Sequence, residues 1–580
     1  MEMLWNLDKL YESFEDEKLG KDLEKADKML KELDALCDKA LSTEDRSMET
    51  LSAYYEKSNE LGDLFTNIYI FAQLSMSVDT GNMKALSVIE KVQKYLPVLA
   101  VMEVKFTKWL GQMDNIEYEG IVGEHRFSIS ETLRQAKYLL DDKSERIIAT
   151  MRNTGSSAWE KLQETLTSSL MVDYEDKKLP LPAVRNMAYD KSAETRKKAF
   201  EAELAAYPKI EKSSAACLNA IKGEVIEECA LRGYESPLEM TLMNSRMDRQ
   251  TLDSMMDAMK EYLPHFRRYL NKKAVMLGHD NGLPFYDLFA PIGGVEKEYS
   301  FSDARDFIVR NFSTFSSELG QYAKDAFDLN WIDAKIREGK VGGAFCANIH
   351  GIRESRILSN FSGVFSDVTT LAHELGHGYH GHCLKDATYT NSHYPMPLAE
   401  TASIFCETIV MNAALKDAKH DEAVAILEHS LIEATQVIVD IMSRYIFETE
   451  LFEKREDGSA SVDEMKDMMV RAQKATYGEG LDESVLHPYM WACKTHYYSA
   501  GQNFYNFPYA FGLLFAKGLY AMYTEEGESF VEKYNNLLVE TGRNNIRGVL
   551  KTVGVDSGDI GFWRNSLEII KRDIDEFCKL

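Results

Sequence analysis

Between residues 371 and 380 the chain reads Leu-Ala-His373-Glu374-Leu-Gly-His377-Gly-Tyr-His380. At about 100° per residue on a helix, His373 and His377 lie only ~40° apart and one turn apart along the axis. Both imidazoles can therefore reach one ion. Glu374 is rotated by about 100° from His373, beside the ion's open position, where it can take a proton from a metal-bound water. The chemistry implied is hydrolysis by a metal-activated water. A shuffled chain with 13 histidines would contain H-E-x-x-H in roughly one case in forty, so a helix with two surface histidines is the bland alternative until further ligands are found.

A catalytic zinc needs a third protein ligand and one open position. A third histidine in the pattern H-E-x-x-H-x-x-G-x-x-H is excluded, because His380 stands at the glycine position and Cys383 at the last histidine position. His380 shares the face but sits roughly 10 Å of helix rise from His373, too far for three rings to converge. It is read as a neighbour. The next candidate follows the turn Tyr394-Pro-Met-Pro397, where Leu398 to Glu407 reads as a new helix with Pro397 near its first turn. Glu400 stands 23 positions beyond His377, enough chain for the helix to return antiparallel and present a carboxylate. Glu407 is seven residues further on nearly the same face, so one carboxylate can ligate while the other orients a ligand imidazole. Their neighbours Ala399, Ala402, Ile404 and Phe405 are apolar, unlike a solvated helix face. One zinc ion per chain suits this N/N/O donor set, and cobalt or manganese would also fit it.

Downstream, His496-Tyr-Tyr498 and Phe504-Tyr505-Asn-Phe-Pro508-Tyr509-Ala-Phe-Gly512 form an aromatic, glycine-punctuated segment. An imidazole and phenols are the donors wanted beside a developing oxyanion. An aromatic core patch with one satisfied histidine is the competing reading.

The elements that must position these groups are mostly helical. From Lys21 to about Lys108 apolar residues recur at three and four spacing, as at Leu30, Leu33 and Leu36. Helical text continues over 131–169 and 193–226, the latter with Ser192 as N-cap. Lys178-Leu-Pro-Leu-Pro182 is the clearest punctuation of the first half, and it suggests an N-terminal helical lobe over 1–182 and a catalytic lobe over 183–580. Strand-like text is confined to 342–349 and 354–361, which can pair as a hairpin. The expected fold is mainly α, with a small local β-sheet beside the active-site helix. Ser366 and Asp367 are cap candidates for that helix.

Composition narrows the partners. With 67 Lys plus Arg against 93 Asp plus Glu the formal net charge is −26, a field that repels phosphate and argues against nucleic acid or an anionic membrane. The eight cysteines are scattered without a C-x-x-C pair, as expected of free thiols in a reducing compartment. The first residues lack a basic and then apolar leader, and the apolar stretches at 95–102 and 507–516 fall short of the roughly 18 residues that cross a bilayer. A cytoplasmic location with no obligate protein partner is expected.

Taken together, the chain resembles the oligoendopeptidase F branch of the thimet-oligopeptidase-like zinc metallopeptidases, almost end to end. The resemblance is carried by Trp5-Asn-Leu-Asp-Lys-Leu-Tyr11, Arg232-Gly-Tyr-Glu-Ser-Pro237, Tyr286-Asp-Leu-Phe-Ala-Pro291, the segment 339–346, Thr370 to His377, Ala399-Glu-Thr-Ala-Ser403 and Phe504 to Tyr509. It implies a two-lobed helical peptidase whose deep channel admits oligopeptides. It implies zinc on His373, His377 and Glu400, with Glu374 as general base and proton shuttle. His496 and one or both of Tyr505 and Tyr509 match the family's substrate and transition-state contacts. The 342–347 stretch, with Gly343, Ala344 and Phe345 at its centre, is implied to be an edge strand that pairs with the substrate backbone. The expected activity is zinc-dependent endopeptidase cleavage of oligopeptides. One rival is a zinc carboxypeptidase, which needs a cation such as Arg353, Arg356 or Lys494 for the terminal carboxylate. The other is a catalytically silent peptide-binding protein, which has no need of Glu374.

Overall fold

The three-and-four spacing of apolar residues becomes helix throughout the computed structural model, which describes residues 3–43, 46–113, 116, 120–293 and 298–580. The first long helix, Glu17–Ser42, starts where Asp16 accepts from the Lys18 N–H, and buries Leu19, Ala26, Met29, Leu30, Leu33, Cys37 and Ala40 along one stripe. It packs against Met48–Val78, whose N-cap is Ser47. The helical text over 131–169 is divided at Asp141, which caps Asp142–Arg152, and at Gly155, which precedes Ser156–Ser169. The helix expected over 193–226 is likewise two, Ala193–Ala206 and Glu211–Arg232. Between them Tyr207–Lys209 forms a 3₁₀ turn, since Pro208 cannot donate to the preceding turn of an α-helix.

Two compact units result. The first gathers Met1–Tyr138, Glu296–Ala414 and Met522–Gly554, and the second gathers Leu139–Val295, Leu415–Ala521 and Val555–Leu580. Each is assembled from three stretches of chain, so their limits do not coincide with a single division at residue 182.

In the second unit β1 (Met171–Tyr174) and β2 (Lys177–Pro180) form an antiparallel hairpin, and the punctuation at 178–182 is its passage into the helix Leu181–Asn186. In the first unit β3 (Ile332–Asp333), β4 (Phe345–Ile349) and β5 (Glu354–Leu358) form a sheet of order β3-β5-β4. The expected hairpin is β4 with β5, antiparallel, with Phe345 opposite Leu358 and Asn348 opposite Ser355. β4 begins at Phe345 rather than at 342, because Gly343 adopts φ +80°, outside the extended region, and its carbonyl accepts from Asn360 Nδ2 at 2.9 Å. Gly343 and Ala344 therefore precede the strand and only Phe345 belongs to it.

The helix Phe365–Cys383 carries His373 to His380 and lies against both β4 and β5. The run Met396–Asp417, which carries Glu400 and Glu407, is by length and composition apolar enough to cross a membrane. Its apolar residues are used inside the first unit, where Ala402, Phe405, Cys406, Ile409 and Val410 are buried.

Candidate metal centre

The histidine helix is started by an acid three residues in. Asp367 accepts from the N–H groups of Ser362, Gly363 and Val364 at 2.7, 2.8 and 3.2 Å, so it holds the turn that leads into the helix and complements the positive end of its dipole. Ser366 is not a cap; it lies within the first turn.

Two close approaches then set the angle at which neighbours meet this helix. A Cβ on Gly376 would stand 2.5 Å from the Ala402 carbonyl oxygen and 2.6 Å from Ser403 Cα, so the carboxylate helix Thr401–Asp417 can rest directly on the histidine helix only because position 376 has no side chain. A Cβ on Gly381 would run into the Asn348 carboxamide. That carboxamide donates through Nδ2 to the His377 carbonyl oxygen at 3.0 Å, and its Oδ1 accepts from Ser355 Oγ at 2.8 Å, which in turn accepts from Tyr322 Oη at 3.0 Å. The β4–β5 register, by placing Asn348 opposite Ser355, thus ties the sheet to the histidine helix at His377.

The short helix Met396–Ala399, with Pro397 in its first turn, ends at Glu400, which sits at the junction with Thr401–Asp417. Glu400 Oε2 lies 3.2 Å from His373 Nε2 and 3.5 Å from His377 Nε2. One ligand atom from each of the three residues can be chosen such that all lie within 4.8 Å of one another. Glu407 approaches the other edge of the first ring, with its Oε2 3.2 Å from His373 Nδ1. Helix spacing alone left open which carboxylate would ligate, and the resemblance implied Glu400; in the structure Glu400 approaches Nε2 and Glu407 approaches Nδ1 of the same ring.

The electrostatics of this group favour a cation. Burial lowers the His373 pKa, but hydrogen bonds to Glu400 and Glu407 outweigh it and raise it to about 10. Burial raises the Glu400 pKa, yet its contacts with His373 and His377 hold it at about 2. Burial, together with the His373 charge, takes His377 down to about 4. The N/N/O donor set of His373, His377 and Glu400 fits zinc, which these three residues would hold. Glu374 is buried, and that burial, with the Glu400 charge behind it and His373 opposing, lifts its carboxyl to about 7.

Ser403 was missed in the sequence. Its Oγ donates to Glu400 Oε2 at 2.8 Å and to the Glu400 carbonyl oxygen at 3.1 Å, orienting the carboxylate. The signal was present as the three-residue spacing from Glu400, which stacks side chains on one helix face. His380, read as a neighbour, is fully buried, stacked on Tyr394 at 3.9 Å between centroids and hydrogen-bonded through Nε2 to Thr541 Oγ1 at 2.8 Å.

His496, Tyr505 and Tyr509 are brought together within the second unit. The His496 ring stacks on Tyr505 with centroids 5.2 Å apart, and the Tyr505 and Tyr509 hydroxyls are 3.3 Å apart. Burial, then the charges of Arg444 and Lys494, lower the His496 pKa. Of the cations weighed for a terminal carboxylate, Arg356 is 2% exposed and pairs with Glu354 at 3.0 Å, and Arg353 is exposed and pairs with Asp386 at 3.2 Å.

Residues 186–568 match the family model described as Peptidase family M3, and residues 115–171 match the one described as Oligopeptidase F. An oligoendopeptidase F homolog of Lactococcus lactis subsp. lactis (strain IL1403) is 24% identical over 564 residues, covering 92% of this chain and 90% of its own. A solved structure from Chlamydophila abortus superposes with TM-score 0.86 at 20% identity over 99% of this chain and 98% of that one. The oligoendopeptidase-F structure from Enterococcus faecium does so with TM-score 0.69 at 17% identity over 97% and 98%. At these identities the likeness of structures speaks for the fold.

Proposed function

The chain belongs to peptidase family M3, in its oligopeptidase F branch, and is a metalloendopeptidase; on that premise we propose that it cleaves oligopeptides internally at a single zinc ion held by His373, His377 and Glu400. The observation that carries this reading is the convergence of those three donors within 4.8 Å, with Glu374 next to His373 in the chain. When bound, such an ion supplies Lewis-acid polarisation of a carbonyl and acidification of a water molecule.

The chain's own residues do the rest. Glu374, buried and next to His373 in the chain, is proposed to accept a proton from the attacking water and return it to the leaving nitrogen. Glu407 keeps a proton on His373 Nδ1, so the Nε2 lone pair is the one offered to the ion. Ser403 holds the Glu400 carboxylate in its bonding orientation. The part proposed for His496, Tyr505 and Tyr509 is hydrogen-bond donation to substrate and to developing negative charge. The part proposed for the segment from Gly343 to Phe345 is backbone pairing with the peptide, supported by the edge position of β4. The proposed compartment is the cytoplasm, where the eight free cysteines would stay reduced.

The test is digestion of peptides of graded length, with the cuts mapped by mass spectrometry, with and without a chelator. Internal cuts in peptides with amidated C-termini, abolished by the chelator, are expected. Cleavage confined to the last bond and lost on amidation would transfer the reading to a carboxypeptidase.

A further inference from the structure

The second unit contains a cavity of about 180 Å³ that the metal chemistry does not use, far above the roughly 10–15 Å³ that one water needs. Its lining combines the aromatic residues Phe200, Phe285, Tyr286 and Phe289 with charged ones. Tyr189, 60% exposed, packs on Phe289 with centroids 4.9 Å apart and leaves an aromatic face open to solvent beside the cavity.

The lining charges Arg185, Arg196, Glu203 and Asp440 each have an ion-pair partner. Arg185 Nη1 holds Glu203 Oε1 at 2.7 Å, Arg196 Nε holds Asp287 Oδ1 at 2.6 Å, and Arg444 holds Asp440. Lys494, half-buried on the same wall, makes no hydrogen bond or ion pair through its ammonium among the described residues. Burial, then the Arg444 charge, push its pKa down, against the opposing pull of Asp440, which Arg444 already holds. Two further features share this wall. The helix that follows His420–Thr435 makes a π-helical turn over Gln436–Asp440, and both end residues of that turn line the cavity. His487, also on the wall and 2% exposed, leaves Nδ1 without a hydrogen-bond partner among the described residues. π-turns and unpaired buried polar groups both cost stability, and they recur where a ligand completes the structure.

We propose that this cavity binds a small monocarboxylate with an aromatic or branched apolar body, its carboxylate on Lys494 and its body among Phe200, Phe285, Tyr286 and Phe289. With Arg185, Arg196 and Arg444 each holding a carboxylate of its own, the one remaining ammonium suits a single negative charge and disfavours a phosphate dianion. The aromatic wall supplies the apolar contact typical of small-molecule sites. The ligand chemistry is shared by a free aromatic acid and by the C-terminal residue of a peptide.

The test uses the full-length, metal-loaded protein and reads melting temperature and calorimetric binding with N-acetyl-phenylalanine, its C-terminal amide and 3-phenylpropionate. The acid should bind saturably and raise the Tm, and the amide should not. Lys494→Met should weaken the acid by about tenfold or more and, without ligand, melt no lower than the parent, because it removes a charge that lacks a partner. Lys494→Gln, which keeps a polar chain without the charge, should lose the acid response in the same way and serves if the methionine variant does not fold. Binding of 3-phenylpropionate as well as N-acetyl-phenylalanine would assign a free acid, and binding of the latter alone a peptide terminus; both support the site. Equal responses to acid and amide, no response to either acid, or an acid response that survives the loss of the lysine charge would overturn it. None of these outcomes depends on the metal ligands, so the site and the peptidase reading fail separately.

Discussion

Glu407 and Glu400 contact opposite edges of one ring: the Glu407 carboxylate lies 3.2 Å from His373 Nδ1, and the Glu400 carboxylate lies 3.2 Å from Nε2 of the same imidazole. On the proposed zinc reading, Glu407 would hold the Nδ1 proton while Glu400 would share the ion with Nε2. Glu407→Gln should therefore weaken zinc by about 10–100-fold without abolishing binding, whereas His373→Ala or Glu400→Ala should strip the ion, since two ligands hold it poorly in a site open to water. Metal content after dialysis against a graded chelator measures this. Full zinc occupancy in both alanine variants would falsify the ligand assignment.

Glu374 makes a different prediction because it is assigned to the proton and not to the ion. Glu374→Gln should retain the metal and lower kcat by about 10²–10⁴-fold, since an amide accepts a hydrogen bond but takes no proton. Near-normal turnover in that variant, with zinc in place, would remove the general base from the mechanism.

His350 gives the first unit a pH-dependent contact. Its Nδ1 lies 2.7 Å from Asp63 Oδ1 and its Nε2 2.9 Å from the Ala387 carbonyl oxygen, so both nitrogens face acceptors. The Asp63 hydrogen bond, against the effect of burial, raises the His350 pKa above its ordinary value near 6.5. A raised folded-state value means stability that is fully present below about 6.5 and is lost as pH rises through the raised value. The Tm difference between the parent and Asp63→Asn should be largest below about pH 6.5 and shrink toward alkaline pH. A difference that stays constant or grows with pH would contradict it.

Lys222 is fully buried and donates to Glu448 Oε1 at 2.7 Å and to Asn503 Oδ1 at 2.8 Å. Asn503 precedes Phe504, held at φ +51°, and Arg444 fixes Asn506 at 2.9 Å on the far side, so buried polar groups clamp the strained turn that presents Tyr505. Lys222→Met should cost about 3–5 kcal/mol by leaving Glu448 buried and unpaired. Lys222→Met with Glu448→Leu should recover part of that loss. Denaturant unfolding of both variants decides the point, and a double variant less stable than the single one would refute the pairing.

Local patterns were enough for the parts of this protein that depend on near neighbours in the chain. The helical period placed His373 and His377 on one face, and the apolar residues around Glu400 and Glu407 marked their helix as buried. The strand text ahead of Asn348 and after Arg353 marked the hairpin. These features rest on interactions three or four residues apart or across one short turn. Assigning each carboxylate to one nitrogen of His373 was beyond such rules. It depends on how closely two helices approach at Gly376, where the Ala402 carbonyl fills the space a side chain would take, and on the chain between His377 and Glu400, whose path no period constrains. The assembly of each compact unit from three separated stretches, and the place of Lys494 among ion pairs drawn from distant segments, were decided in the same way. Burial is shared among residues that are remote in sequence, and only the packed chain determines which of them meet.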